Sequence, residues 1–305
     1  MMSPRDFILT NDGLIFAVIN DEVAFLRYYP SANGSRVFRG RLYEKVESTK
    51  FSFAYLEENF PYYIKENQGI RIQRCPPESV DTVFSPKEKL KNLCNNGGQN
   101  EIIKKCLQLN NILDENPLEN KGITGSILVD MSTPDSDIDF VVYGSDNFDC
   151  ARKMISESSV VRDLNYEDLK SYYNKRFPEK PSLTFEEFCW HENRKHNLGK
   201  IDGTLFNLLM VGDDLHLPES KMVKKAKITC IVTDAKNSFN HPAVYEVEHA
   251  LVTQVVSYTH TFTGQAMEGE KIEVSGNLEK TDNGNFIMIV GSMREAPNEY
   301  IKVIM

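Results

Sequence analysis

The chain has 305 residues, 41% of them hydrophobic and 26% charged, and carries a formal net charge of −9. That length accommodates two or three domains with buried cores. A surface that coats DNA or RNA is normally basic, so the acidic balance argues against general nucleic-acid coating and leaves room for a local basic site only. No run reaches about eighteen apolar residues, and residues 1–16 lack a basic segment followed by an apolar one, so neither a membrane span nor a secretion signal is expected.

The first 84 residues read as a β-rich module. Residues 6–10 lead into Asn11-Asp12-Gly13, a turn signal, and apolar runs at 14–19 and 23–29 follow, which is the pattern of a hairpin. Residues 30–41 form a polar loop whose Arg36, Arg39 and Arg41 are expected to be solvated. A short helix is predicted over 52–59 and an extended segment over 69–73.

Ser85-Pro86-Lys87-Glu88 carries the signature of a helix start, with serine as cap, proline at the first position and glutamate at the third. A second helix follows the Asn95-Asn96-Gly97-Gly98 break, with Ile102, Ile103, Cys106 and Leu107 at helical spacing. Helices are predicted over 147–157 and across a charged, aromatic-rich region at 166–196, then an apolar strand over 204–211. Residues 85–217 thus form a middle domain. From 218 to 305 the pattern turns to alternation, with strands predicted at 226–232, 243–251, 254–262, 271–278 and 285–290. Short strands separated by turns indicate a small barrel or sandwich of OB-like type.

The six cysteines (75, 94, 106, 150, 189 and 230) show no Cys-x-x-Cys pair and no zinc spacing, so reduced thiols in a cytoplasmic protein are expected. In Glu186 to His196 the two histidines are five apart, whereas a helical zinc motif needs four, so a charged helix is the expected reading.

The densest chemical signal lies at 121–144. Residues i and i+2 of a strand project from one face, so Asp137 and Asp139 of Asp-Ile-Asp-Phe-Val-Val-Tyr place two carboxylates side by side. Paired carboxylates repel, and a divalent cation relieves the repulsion; an all-oxygen donor set suits Mg²⁺ or Mn²⁺ shared with substrate phosphates. Upstream, Gly125-Ser126 offers an unobstructed backbone and a hydroxyl as a phosphate cradle.

In the step of eleven residues from Ser126 to Asp137, and in the Thr133-Pro134-Asp135-Ser136 lead-in, the chain resembles the polymerase-beta-like nucleotidyltransferase superfamily. It also resembles a group of archaeal proteins that place such a domain between two β modules. The resemblance implies an α+β fold, a nucleotidyltransferase-like centre with a mixed sheet and helices, and Mg²⁺-dependent transfer of a nucleoside monophosphate from a nucleoside triphosphate to an acceptor, a nucleic acid or a protein. It makes Asp137 and Asp139 metal ligands and Gly125 and Ser126 phosphate contacts.

Two departures accompany it. Family enzymes carry a third carboxylate on a later strand, yet residues 204–211 contain no Asp or Glu; Asp202 is the substitute expected as third catalytic carboxylate. Basic residues usually follow Gly-Ser, whereas Ile127, Leu128 and Val129 stand here, so Arg194 and Lys195, with Lys200 behind them, are the expected phosphate-binding cations. The alternative reading is a non-catalytic protein that binds nucleotide or nucleic acid through a degenerate nucleotidyltransferase domain.

Overall fold

The computed structural model describes residues 2–67, 70–98, 100–115, 117–177, 181–212, 215, 217–291 and 298–304. Residue 69 of the predicted strand and residues 178–180 of the predicted helical region lie outside them. The architecture is α+β, and no described helix is long and apolar enough to cross a membrane. The chain divides into two compact units, residues 1–141 with 204–207, and residues 142–203 with 208–305. This cut falls inside the segment 85–217, whereas the three larger sheets are built from residues 7–84, 121–211 and 220–303.

In the first unit, β1 (Phe7–Thr10) and β2 (Ile15–Val18) form the expected hairpin, closed by Gly13 at φ +80°. β3 (Ala24–Pro30), β4 (Arg36–Phe38) and β5 (Arg41–Lys45) extend this sheet beyond β2. α1 (Thr49–Asn59) starts earlier than predicted because the Ser48 hydroxyl accepts from the Phe51 N–H at 3.1 Å. β6 (Ile64–Asn67) and β7 (Ile70–Gln73) make a separate ribbon, and β8 (Val80–Phe84) returns to complete the order β4-β5-β3-β2-β1-β8.

Both faces of this sheet are covered. Ile8, Phe16, Val18 and Leu26 pack under α1 with Leu56 and Tyr63, while Phe7, Leu9, Ile15 and Tyr28 pack with Leu128, Val129 and Met131. Alternate residues of β1 therefore enter opposite cores, which is why its sequence is apolar throughout. On β3 the register slips: Ile15 faces Tyr28 but Phe16 faces Leu26, so Arg27 is the extra residue of a β-bulge.

α2 (Pro86–Asn96) starts where predicted, but the Ser85 side chain makes no capping bond, so the expected capping box is absent. α3 (Glu101–Ile112) is capped instead by the Asn100 side chain. Then come β9 (Lys121–Thr124), the single turn α4 (Gly125–Leu128) and β10 (Ile138–Tyr143). The boundary between units runs through β10 and β12, strands of a four-stranded sheet ordered β11-β12-β10-β9 whose other members are given next.

The second unit opens with α5 (Ser145–Glu157). The region predicted as one helical stretch divides into α6 (Tyr166–Arg176) and α7 (Phe185–Asn193), since the sequence places prolines at 178 and 181. Each carries a complete capping box, Asn165 with Asp168 and Thr184 with Glu187. β11 (Leu198–Ile201) turns through Asp202-Gly203 into β12 (Thr204–Val211).

β13 (Ser220–Asp234), β14 (Ala243–Glu248), β15 (Val252–Ser257), β16 (Lys271–Thr281), β17 (Phe286–Val290) and β18 (Tyr300–Val303) make the last sheet. β13 pairs with both β14 and β16, so the ring β13-β14-β15-β17-β16 closes, with β15 and β17 parallel. This is the strand order 1-2-3-5-4-1 of an OB barrel. Cys230, Val232, Tyr245, Val255, Val274 and Met288 fill its interior. The strand predicted over 254–262 stops at Ser257, because the Tyr245 hydroxyl ties down the following turn, donating to Phe262 O at 2.7 Å and accepting from Gln265 N at 2.8 Å. On the outer wall Val244, Val256, Ile287 and Ile289 form an apolar patch covered by Leu215 and Leu217 of the connecting segment.

Candidate metal–phosphate site

Asp139 stands on β10 between the buried Ile138 and Phe140, and is itself half-buried. Asp137 lies one residue before the strand and is exposed, so only one of the pair belongs to regular β-structure. Gly125 holds φ +70°, a left-handed conformation that favours glycine, and a Cβ there would stand 3.3 Å from the Asp139 Cβ and Cγ and closer still to its Oδ2. Gly125 is thus required twice, by its own backbone and by the carboxylate seated against it. Ser126 is half-buried in the same turn, whose end is closed by Met131 N–H donating to Ser126 O at 2.9 Å. The lead-in to Asp137 is fixed by the Thr133 N–H donating to Ser136 Oγ at 2.9 Å. Asp130, expected as a turn residue, takes φ +55° and pairs with Lys89 at 2.5 Å.

The N-terminal sheet is fastened onto this turn. Thr124 Oγ1 donates to Arg5 O at 2.8 Å, Arg36 Nη1 donates to Met131 O at 2.7 Å, and Leu128, Val129 and Met131 share a core with Tyr28. Arg36, expected to be solvated, therefore serves as a strut. Burial first, and then repulsion from Asp137, raise the Asp139 carboxyl to about 6; Arg27, Arg5 and Lys45 oppose that rise. The buried Tyr28 phenol is pushed up chiefly by burial and feels the same groups, Arg27 and Arg36 lowering it and Asp139 and Asp137 raising it. Asp139 thus sits within electrostatic reach of several cations that are distant from it in sequence. Arg5, Arg27 and Lys45 belong to another segment of the chain, and a bulged residue leaves no mark in hydrophobic periodicity.

The remaining expected residues lie in the second unit. Lys195 is buried, pairs with Glu192 at 2.5 Å and donates to Thr261 O at 3.3 Å; burial lowers its pKa. Arg194 pairs with Glu270 at 2.5 Å and lies over the Trp190 ring. Lys200 pairs with Asp168 at 2.7 Å. All three cations are engaged by carboxylates of their own unit. Asp202 and Gly203, at φ +44° and +78°, are the two residues of a tight β11–β12 turn, which accounts for an aspartate there. His191 is buried against Gln265 O at 3.0 Å and stays neutral, with burial depressing its pKa to about 3, a structural role for the histidine-containing helix. All six cysteines are free thiols.

Among the described residues no group of three His, Cys, Asp or Glu side chains is placed to hold a metal, so no third such side chain joins Asp137 and Asp139. The pair nonetheless fits Mg²⁺, which keeps several waters and takes one or two carboxylates together with substrate phosphates. Burial of one carboxylate beside another leaves a repulsion that Arg27, Arg5 and Lys45 offset only in part, and such an ion would relieve it.

A carboxylate pair seated on a glycine turn, within an α+β chain, defines a candidate binding site for a metal and a phosphate. No family model matches the sequence, and no solved structure matches it. Over 98% of its length, and 98% of the relative's, the chain is 36% identical to an uncharacterized protein of Methanocaldococcus jannaschii. It belongs to the family of that archaeal protein.

Proposed function

We propose that the protein is a Mg²⁺-dependent nucleotidyltransferase of the polymerase-beta-like kind, acting on a nucleoside triphosphate. The observation that carries this reading is the Asp137–Asp139 pair with Asp139 packed onto Gly125, a half-buried carboxylate beside a second one, with no ion pair to Asp139 among the described residues. Asp137 and Asp139 would hold the ion, which when bound supplies charge neutralisation at a phosphoryl oxygen. The chain's own part is to fix the two carboxylates through the Thr133–Ser136 bond and the Gly125 turn, and to hold cations within electrostatic reach of Asp139.

A second reading is favoured by one observation, the absence of a third metal-binding side chain beside the pair among the described residues. On that reading the protein binds metal and nucleotide without transferring it. Calorimetric titration with ATP or CTP and Mg²⁺, together with an assay of pyrophosphate release, separates the two. Binding with release supports transfer, and binding without release supports the second reading. Identical behaviour of wild type and Asp137→Ala plus Asp139→Ala overturns both.

A further inference from the structure

The Gly125 turn cannot neutralise a polyphosphate by itself: the residues after Ser126 are Ile127, Leu128 and Val129, all buried in the apolar core. The structure offers cations from elsewhere in the same unit. Arg27 is the extra residue of the β3 bulge, and bulges re-aim a side chain relative to the regular pleat. Lys45 lies on the adjacent strand, paired in register with Tyr28, and the Val46 N–H donates to Arg27 O at 2.9 Å, so the two cations share one short piece of sheet. Tyr28, between them in register, is buried in the core that contains Leu128, Val129 and Met131, which brings this piece of sheet to the Gly125 turn.

Both side chains are exposed, and neither makes a hydrogen bond or ion pair to a side chain among the described residues. Their charge reaches Asp139 without contact, so their donors stay open. A cation kept only to offset a buried carboxylate would be expected to bond to it directly.

We infer that Arg27 and Lys45, supplied by the N-terminal sheet, form the anion-binding half of the site and hold the polyphosphate of a nucleoside triphosphate. This rests on the reading of Asp137 and Asp139 as metal ligands. The guanidinium is suited to a forked contact with phosphate oxygens and the ammonium to a point contact.

The test compares wild type, Arg27→Gln plus Lys45→Gln, and Asp137→Asn plus Asp139→Asn. Mn²⁺ binding is followed by electron paramagnetic resonance, and binding of inorganic tripolyphosphate and phosphate with Mg²⁺ by calorimetry. The Arg27/Lys45 variant is expected to lose about tenfold to a hundredfold in tripolyphosphate affinity, from loss of charge-assisted bonds, and less for monophosphate. Its affinity for Mn²⁺ alone is expected to stay level or rise, because repelling cations have been removed. That opposite response is one a merely misfolded variant would not give. If wild type binds Mn²⁺ but tripolyphosphate binds weakly or equally to wild type and the Arg27/Lys45 variant, the inference is overturned and the metal reading stands. If wild type and the Asp137/Asp139 variant both fail to bind Mn²⁺, the metal reading is overturned and the inference falls with it.

Discussion

Burial and the neighbouring Asp137 charge place the Asp139 carboxyl at about 6, above the roughly 3.9 of an unfolded aspartate. In the metal-free protein the ionised form is therefore a cost of folding, felt above about pH 6 and relieved as pH falls towards 4. Asp139→Asn is expected to raise stability at pH 8 by on the order of 1–2 kcal/mol and to change it little at pH 4; urea denaturation at the two pH values measures this. An equal effect at both would show that the carboxyl is not perturbed. Metal must displace the proton, so divalent-cation affinity is expected to fall about tenfold per pH unit below 6.

Gly125→Ala meets both a left-handed backbone and the Asp139 carboxylate. It is expected to cost about 1–3 kcal/mol and to weaken metal binding as well; a fully stable variant with intact binding would remove the close approach from the account. At this scale the sequence was legible where chemistry was local. Gly125, Asp137 and Asp139 lie close together in the chain and their types are restrictive. Arg27 and Lys45 were not legible, because only the pairing of β2, β3 and β5 brings them to the turn.

Among the elements, helix caps illustrate how a motif and its use can differ. Ser85, with proline and glutamate after it, reads as a cap, yet its side chain makes no such bond, whereas Asn165 and Thr184 make complete boxes. Asn165→Ala and Thr184→Ala are each expected to cost about 1 kcal/mol, and Ser85→Ala a small fraction of that, read as shifts in thermal midpoint. Strands were legible as apolar alternation, and β12 matches the predicted 204–211 residue for residue. The choice between a barrel and a sandwich was not, because the pairing of β13 with β16 is set by register between distant segments.

The barrel also bears on partners. An OB barrel often presents the outer face of its second and third strands to a nucleic acid. Here part of that face is Val244 on β14 and Val256 on β15, and Leu215 and Leu217 already cover it. Leu215→Ser plus Leu217→Ser is expected to lower the thermal midpoint and increase binding of an apolar dye, since the patch would then face water. An unchanged midpoint would mean that the covering contributes nothing to stability.

For the molecule as a whole, the α+β class expected from the pattern of elements and from the resemblance is the class observed. The changing periodicity suggests three segments, and each of the larger sheets is drawn from one of them. The two compact units follow a different line because strands β10 and β12 are each shared between them. The likeness to the Methanocaldococcus jannaschii protein extends over 98% of both chains and is not confined to one of these segments.

The central claim is that Asp137 and Asp139 bind a divalent cation. Electron paramagnetic resonance of Mn²⁺ titrated into wild type and into Asp137→Asn plus Asp139→Asn, at pH 7.5 and pH 5, tests it most directly. The expected result is a saturable site in wild type at pH 7.5 that weakens sharply at pH 5 and is absent from the variant. Equal Mn²⁺ binding by both proteins, or none by wild type at pH 7.5, would contradict it.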